Sequence, residues 1–342
     1  MVDKIISKQN LEKLPAWLVE SGFRVIAPKK GAETILFGEI SSYEAYDEDC
    51  LKPERSIKEM FFPRTEKIFK YRHTGKGKVQ LKENEDFATK TVLFGVRPCD
   101  AASLPILDKV FSWDYQDNYY LKRREETCLI SIACETCDEF CLCTTLGLSP
   151  TSENGSDILL LKRDETSFYA RVITPKGEEF CSQAEELFEA TSDKAPEGFD
   201  GPEIKADLEQ INPWLDNNFE NDMWDELGLR CLGCGSCTYV CPTCHCFDII
   251  DEGGLKSGAR VKNWDSCGFG LFTIHASGHN PRSTQLRRYR QRIMHKFKYY
   301  IDKFEYTSCV GCGRCVKSCP VDINLCDILE TINSKAAAEN LK

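Results

Sequence analysis

Two cysteine runs with the same spacing stand in the second half of the chain. Both read C-x2-C-x2-C-x3-C-P and carry glycine at matching positions. This is the bacterial spacing for a pair of [4Fe-4S] clusters. Because a whole run is repeated, the pattern predicts a protein that carries electrons. The runs are Cys231, Cys234, Cys237 and Cys241, followed by Pro242, and Cys309, Cys312, Cys315 and Cys319, followed by Pro320.

The last cysteine of each run is expected to bind the cluster of the other run, as it does in proteins with two such clusters. Thiolate sulfur is the soft ligand that suits iron in these clusters, and the glycines let backbone N–H groups face the sulfur atoms. Zinc is the competing interpretation, but it needs neither the third nor the fourth cysteine of a run. The predicted ligands are Cys231, Cys234, Cys237 and Cys319 for cluster one, and Cys309, Cys312, Cys315 and Cys241 for cluster two.

A third group of cysteines follows two predicted strands in the first half of the chain. Ligands of open α/β sheets lie beyond the carboxyl ends of parallel strands, so these cysteines are expected to share one crevice. We predict a third [4Fe-4S] cluster there. Zinc and unliganded thiols stay open as alternatives, because the group contains a tight C-x-C pair that is less usual for a cubane. The predicted ligands are Cys99, Cys134, Cys141 and Cys143, with Cys137 in reserve.

The chain has 20 cysteines, and their clustered spacing favours metal binding over disulfides, since cytosolic thiols stay reduced. The segment from Cys241 to His245 also matches the C-x-x-C-H signal for covalent haem. Cys241 is already assigned to a cluster, however, so we expect no haem. Cysteines without an assigned role are Cys50, Cys128, Cys137, Cys181, Cys244, Cys246, Cys267 and Cys326.

Composition excludes several classes of function. The 342 residues carry a net charge of −10, which argues against nucleic-acid and membrane-surface partners. No apolar run approaches the roughly 18–20 residues of a membrane span, and the first residues lack the order of a signal peptide. No G-x-G-x-x-G or Walker loop is present, so we expect no nucleotide or flavin in this chain. We expect a soluble, cytoplasmic protein.

Apolar patterns predict an α/β domain in the first half of the chain. A helix is expected over 8–21, and buried strands over 91–97 and 128–134. A helix over 101–111, capped by Asp100, would join these strands into a parallel βαβ unit. Further strands are expected at 23–28 and 34–40, with a hairpin at 158–162 and 168–174, whereas residues 41–90 give no clear pattern.

The second half is expected to be helical, so the predicted fold class is α+β. Residues 192–204 have the composition of a linker. We therefore place an α/β domain with a partly parallel sheet at 1–204, and an α-helical two-cluster ferredoxin-like domain at 205–342.

An amphipathic helix is predicted over 284–304, between the two cysteine runs. Seven basic residues and no acidic residue stand between Arg282 and Lys298. Three interpretations stay open: a solvated helix face, compensation of negatively charged clusters, or a docking face for an acidic partner.

The order of these motifs resembles one family of 4Fe-4S dicluster proteins. It comprises the iron–sulfur β subunit of cytosolic NiFe hydrogenases (sulfhydrogenases) and its relative, the iron–sulfur subunit of anaerobic sulfite reductase. The resemblance covers nearly the whole chain. It is carried by the segment from Gly95 to Asp100, by Cys134, Cys141 and Cys143, by both cysteine runs, by the segments 241–246 and 264–267, and by Arg290, Arg292, His295 and Lys296.

The resemblance implies a non-catalytic electron-transfer subunit. Its partners would be a catalytic subunit of hydrogenase, sulfite reductase or heterodisulfide reductase type, and a diaphorase subunit that binds flavin and NAD(P). The segment from Gly95 to Asp100 favours the hydrogenase branch. Two other functions stay open: a stand-alone redox sensor, and a reductase that binds substrate at an incompletely ligated third cluster.

Overall fold

The computed structural model describes residues 2–31, 33–83 and 89–340, without the side chain of residue 340. Its strands form two sheets. In chain order they are β1 (Lys4–Ser7), β2 (Arg24–Lys29), β3 (Leu36–Glu39), β4 (Thr65–Gly75), β5 (Lys78–Glu83), β6 (Thr91–Val96), β7 (Thr127–Ile132), β8 (Ile158–Asp164), β9 (Ser167–Val172), β10 (Glu189–Ala190), β11 (Phe247–Gly253) and β12 (Ser257–Trp264).

The larger sheet has eight strands in the order β10-β1-β9-β8-β7-β6-β2-β3. Its four central strands, β2, β6, β7 and β8, run parallel, while the outer pairs are antiparallel. Strands β6 and β7 are almost fully buried, which explains their continuous apolar runs. The predicted parallel sheet and βαβ unit are confirmed.

Helices cover both faces of this sheet. In the first half of the chain they are α1 (Lys8–Glu20), α2 (Lys58–Phe61), α3 (Pro98–Ala101), α4 (Ser103–Phe111), α5 (Asn118–Glu125) and α6 (Pro175–Gln183). One apolar core contains residues of α1 and α6, such as Leu14 and Phe180, and the other contains residues of α2 and α4, such as Phe61 and Leu107.

The prediction that Asp100 caps the helix after β6 is wrong. Asp100 lies inside the short helix α3, and α4 begins two residues after that helix ends, without a side-chain cap. The carboxylate of Asp100 instead accepts hydrogen bonds from Arg314, far along the chain. A long-range ion pair has therefore overridden a local capping signal.

The smaller sheet has four antiparallel strands in the order β11-β12-β4-β5. It pairs β4 with β12 and so joins segments on either side of the linker at 192–204. The hairpin of β11 and β12 interrupts the half that we expected to be helical. The Lys262 ammonium of β12 lies 2.8 Å from the carboxylates of both Glu66 and Asp117, which ties the sheet to α5.

The rest of the second half is helical and packs around an apolar core that contains Trp224, Phe297 and Leu329 and also Leu142 of the first half. The predicted helix over 284–304 is present, with a π-helical turn at 295–299 in its middle. The helices are α7 (Leu208–Asn217), α8 (Met223–Arg230), α9 (Ser236–Tyr239), α10 (Gln285–Met294), α11 (Tyr300–Phe304), α12 (Arg314–Lys317) and α13 (Leu325–Asn340).

Candidate iron–sulfur sites

A cavity of about 40 Å³ lies between the two cysteine runs. It is open at the surface beside Cys234, whose side chain is exposed. The Gln285 side-chain amide donates to Cys231 Sγ at 3.1 Å, and the Ile323 backbone N–H donates to Cys319 Sγ at 3.3 Å. Such donors stabilise thiolate ligands. All the cysteines predicted for cluster one line this cavity: Cys231, Cys234, Cys237 and Cys319.

The two runs have the same local structure. In each, a glycine with positive φ precedes a one-turn helix: Gly235 (φ 77°) before α9, and Gly313 (φ 71°) before α12. Other side chains rarely adopt this backbone conformation. A Cβ atom at Gly235 would also lie 2.6 Å from the Phe269 ring. Glycine is therefore needed where each run bends around its cavity.

The cysteines predicted for cluster two form a second, more deeply buried group. Burial raises the pKa of Cys315 to about 12, and the pKa values of Cys309 and Cys312 are shifted in the same direction for the same reason. Cys241 joins this group from the first run, because its charge influences all three of these thiols. Thiols so hard to ionise become thiolates when a positively charged metal centre takes the place of the proton.

Cys241 is the exception in this group. A hydrogen bond from the Cys244 thiol and the nearby Lys296 ammonium lower the pKa of Cys241 well below its usual value, against the effect of burial. Lys296 Nζ donates to Cys241 Sγ at 3.3 Å and to the Ser308 carbonyl at 2.6 Å. The Lys296 ammonium thus favours the thiolate form of Cys241, which is the form that binds metal.

Buried cations surround these sulfurs. The interpretation of the basic helix as a solvated face is wrong for Arg290, Arg292 and Lys296, which are at most 5% exposed. Arg290 pairs with Glu220 at 2.8 Å, but within the described residues neither Arg292 nor Lys296 has a carboxylate partner. Arg292 Nη1 lies 3.5 Å from Cys244 Sγ, and its Nη2 is buried without a hydrogen bond.

Buried cations without carboxylates require another anion nearby. Clusters held by four thiolates carry negative charge, so the donor set and the surrounding cations fit such clusters. Of the three interpretations of the basic helix, charge compensation is the one that these contacts favour.

The third predicted group also shares one cavity, of about 30 Å³, at the carboxyl ends of β6 and β7. Lys52 Nζ donates to Cys141 Sγ at 3.0 Å and pairs with Asp138 at 2.9 Å. Arg97 fixes the surrounding loops by donating to the carbonyls of Cys50 and Leu51, both at 2.8 Å. The five cysteines of this group that line the cavity are Cys99, Cys134, Cys137, Cys141 and Cys143, and Cys312 of the second run lines it as well.

The third cavity adjoins the second cysteine run. Gly311 and Cys312 line it, and the Leu142 N–H donates to the Gly311 carbonyl at 2.8 Å. A Cβ atom at Gly311 would lie 2.5 Å from the Cys143 backbone nitrogen. The three groups of cysteines therefore adjoin one another in a row in the order third, second, first, because Cys312 lines the third cavity and Cys315 lines the first.

Sequence reasoning missed two lysines at these sites: Lys52, which donates to Cys141 Sγ, and Lys58, whose Nζ donates to the Cys244 carbonyl at 2.9 Å. Lys52 and Lys58 stand in the segment 41–90, which gave no clear pattern, and no spacing links them to the cysteines. Each of these lysines lies near a proline in the sequence, but this pattern is too common to predict a contact with a cysteine. Among the described residues, no group of three or more histidine, cysteine, aspartate or glutamate side chains converges closely enough for a single metal ion.

Two comparisons relate this chain to known iron–sulfur proteins. The 4Fe-4S dicluster domain family matches residues 230–323. Sulfhydrogenase 2 subunit beta of Pyrococcus furiosus is 32% identical over 322 residues, which cover 90% of this chain and 92% of that protein. No solved structure matches the chain. Within the described residues, no helix has both the length and the apolar character needed to cross a membrane.

Proposed function

This chain belongs to the family of sulfhydrogenase beta subunits and serves electron transfer through iron–sulfur clusters, and we propose that it relays single electrons through three [4Fe-4S] clusters. The proposal assigns Cys231, Cys234, Cys237 and Cys319 to cluster one, Cys309, Cys312, Cys315 and Cys241 to cluster two, and Cys99, Cys134, Cys141 and Cys143 to cluster three.

The row of three cysteine groups is the observation that carries this proposal. In the middle group Cys241 and Cys312 are buried and no cysteine is exposed, whereas each outer group has one exposed cysteine, Cys137 at one end and Cys234 at the other. Leu229 and Leu232, beside Cys234, are 88% and 68% exposed. A relay needs this arrangement, because electrons enter and leave at surfaces but cross the interior away from water.

When bound, the clusters would supply one-electron chemistry at potentials set by charge and hydrogen bonding. The chain contributes the donors and charges that set these potentials. Gln285 and the Ile323 backbone amide donate to the first group, Lys296 to the second, and Lys52 to the third. Each of these contacts favours the more negative, reduced form of a neighbouring cluster.

We further propose that one end meets a hydrogenase-type catalytic subunit, while the other meets a subunit that binds flavin and NAD(P). The relative is named as a subunit of a sulfhydrogenase, which supports partner subunits but not their order. This chain would then bind no organic substrate and catalyse no reaction by itself. The cytoplasm is the proposed location, since no cysteine of the described residues forms a disulfide and cysteines stay reduced where the compartment is reducing.

The test is anaerobic purification of the native assembly, followed by assays with hydrogen and with sulfite. Co-purification of a hydrogenase together with a flavin protein, with hydrogen-dependent reduction of NAD(P), would support the proposal. A sirohaem partner with sulfite reduction would move the chain to the sulfite reductase branch. A lone chain that retains its clusters would contradict the relay and favour a redox sensor.

The third cluster needs its own test. Alanine at Cys141 and Cys143 should remove about four irons per chain and leave the other clusters in place. An unchanged iron content in this variant would contradict the assignment of the third group.

A further inference from the structure

Apolar side chains are exposed around the opening of the first cavity. Leu232 lines that cavity, and the exposed Leu229 stands three residues before it in the sequence. Leu271 and Ile274, which follow the lining residue Gly268, are 76% and 48% exposed. Apolar side chains gathered on the surface of a protein in this way mark a site of interaction with another molecule.

The last two of these side chains belong to a long loop with its own internal hydrogen bonds. Residues 265–284 join β12 to α10 without a helix or strand. The Asn280 side chain donates to the Gly270 carbonyl at 2.6 Å and accepts a hydrogen bond from the Thr273 hydroxyl at 2.8 Å. Ordered loops of this length in compact proteins usually have a binding role. Here the loop holds its apolar side chains in solvent instead of in a core.

The loop packs against the first cysteine run. A Cβ atom at Gly235 would lie 2.6 Å from the Phe269 ring, and one at Gly233 would lie 3.2 Å from the Gly268 carbonyl oxygen. The loop and the run therefore form one surface beside the exposed Cys234.

The charge around this opening is positive, although the whole chain has a net charge of −10. Residues 266–288 contain three arginines and no acidic residue. Arg230 and Arg288 donate to backbone carbonyls and a side-chain amide, and the Arg287 side chain is exposed. In the part of the chain that the structure describes, no carboxylate pairs with any of these three side chains.

These features define one surface, which we call the cluster-one face. Its charge is not needed inside the chain, in contrast to that of the buried Arg292, which contacts a cysteine sulfur. An apolar centre with a charged rim is the usual composition of a protein interface. The cluster-one face consists of Leu229, Leu232, Leu271 and Ile274, with Arg230 and Arg287 beside them.

The opposite end of the row of cysteine groups has the opposite charge. Residues 134–141 contain three acidic residues and no basic residue. Cys137 and Glu139 are both exposed there, and no cation of the described residues pairs with Glu139. The two ends therefore attract surfaces of different charge.

We propose that the cluster-one face binds a redox partner subunit whose own docking surface is acidic. This inference rests on the proposed relay and adds the chemistry by which the chain selects a partner at this end. Complementary charge guides the approach of such a partner, and like charge repels it from the Cys137 end. A second copy of this chain does not fit the face, because a two-fold contact sets the same patch against itself and would oppose arginine to arginine.

The test uses the native assembly, purified without oxygen together with the subunits that accompany the wild-type chain. In the test variant, Arg287 and Leu271 both become glutamate. In the matched control, Lys78 and Leu255 become glutamate, because these side chains are exposed on the smaller sheet and its turn and the change in net charge is the same. Binding of each accompanying subunit is measured by native mass spectrometry and by interferometry at two salt concentrations.

We expect the test variant to weaken the binding of one subunit by at least about tenfold, and the control to change it by less than about twofold. Wild-type binding of that subunit should also weaken as salt is added, because salt screens exposed charges. Iron per chain should be the same in all three proteins, since neither variant changes a cysteine.

A second variant identifies the chemistry of the partner. Arg287→Lys keeps the positive charge and supplies an amine that a carbodiimide can join to a carboxylate in direct contact. We expect a cross-link from position 287 to an aspartate or glutamate of the weakened subunit, found by mass spectrometry. This variant also decides the question if the double variant loses iron or fails to fold.

Three results would overturn the inference while leaving the relay in place. These are unchanged binding of every subunit in the test variant, cross-links from position 287 that stay within this chain, and a dimer of the wild-type chain that the test variant abolishes. A failure of the relay itself has a different signature: the wild-type chain purifies alone, or Cys315→Ala leaves the coupled rate unchanged.

Discussion

The carboxylate of Asp100 and the guanidinium of Arg314 form a bidentate ion pair, with both N···O distances at 2.6 Å. Both side chains are almost completely buried, at 0% and 3% exposure. Asp100 directly follows Cys99, and Arg314 directly precedes Cys315. The pair therefore fixes the third group of cysteines against the second.

Replacing Asp100 with asparagine should destabilise the protein strongly. The Arg314 charge would be left buried without a counter-charge, and breaking a buried pair in this way costs about 3–5 kcal/mol. Anaerobic thermal unfolding measures the loss. The matched control is Glu39→Gln, which removes the exposed partner of Arg24 and should cost less than about 1 kcal/mol. An equal loss of stability in the two variants would contradict the role of Asp100 in fixing the third group of cysteines against the second.

Alanine at Cys315 should remove cluster two and interrupt the relay at its middle. Electron transfer between the partner subunits should fall to a small residual fraction of the wild-type rate, because no carrier remains between the two outer clusters. Each partner's separate half-reaction should persist with artificial donors and acceptors. Cys326→Ala, which lies outside the three groups, is the control. A Cys315→Ala complex that couples both reactions at the full rate would refute the relay.

Replacing Lys296 with methionine should lower the midpoint potential of cluster two. Its ammonium lies 3.3 Å from Cys241 Sγ, and removing a buried positive charge disfavours the added electron. The expected shift is on the order of tens of millivolts, measured by potentiometric titration with paramagnetic resonance. Lys298→Met serves as the control, because that side chain pairs with Asp216 and Asp302 instead. A potential that rises or stays constant would show that Lys296 does not act on the cluster.

Alanine at Gly311 should separate the third cavity from the second run. The position has φ 63°, and the new Cβ would meet the backbone of Leu142 and Cys143 at 2.5 Å. We expect a loss of several kcal/mol in unfolding free energy, since overpacking adds about 1–3 kcal/mol to the backbone strain. Gly278→Ala has a similar φ of 81° but no atom within 4 Å. This control variant introduces the backbone strain without overpacking. It should lower the free energy of unfolding by only about 1 kcal/mol.

The parts of the fold that sequence predicted well are those whose pattern is set by burial. Strands β6 and β7 are buried on both faces, so their continuous apolar runs predict them from the sequence. Strands β5 and β11 are exposed throughout, and β4 is mostly exposed. Their residues carry no periodic signal, and the smaller sheet could be found only from its pairing.

The same contrast holds for the candidate sites. Cysteine spacing indicates the ligand groups, because the loop that wraps a cluster is local in sequence. The cations around them come from distant segments: Lys58 contacts Cys244 across 186 positions, and Arg314 contacts Asp100 across 214. Such partners are selected by the packing of the whole chain, which one sequence does not reveal.

The pairing of β4 with β12 also bears on how such a protein could have been assembled in evolution. A two-cluster segment that stands free at the end of a chain can be copied into new genes as a cassette. Here one sheet is woven from both halves, so the segment after the linker would leave its partner strands behind if it were moved. The two-cluster segment and the α/β segment before it must therefore be inherited together. For the same reason, proteolytic cleavage within 192–204 should yield two fragments that stay associated.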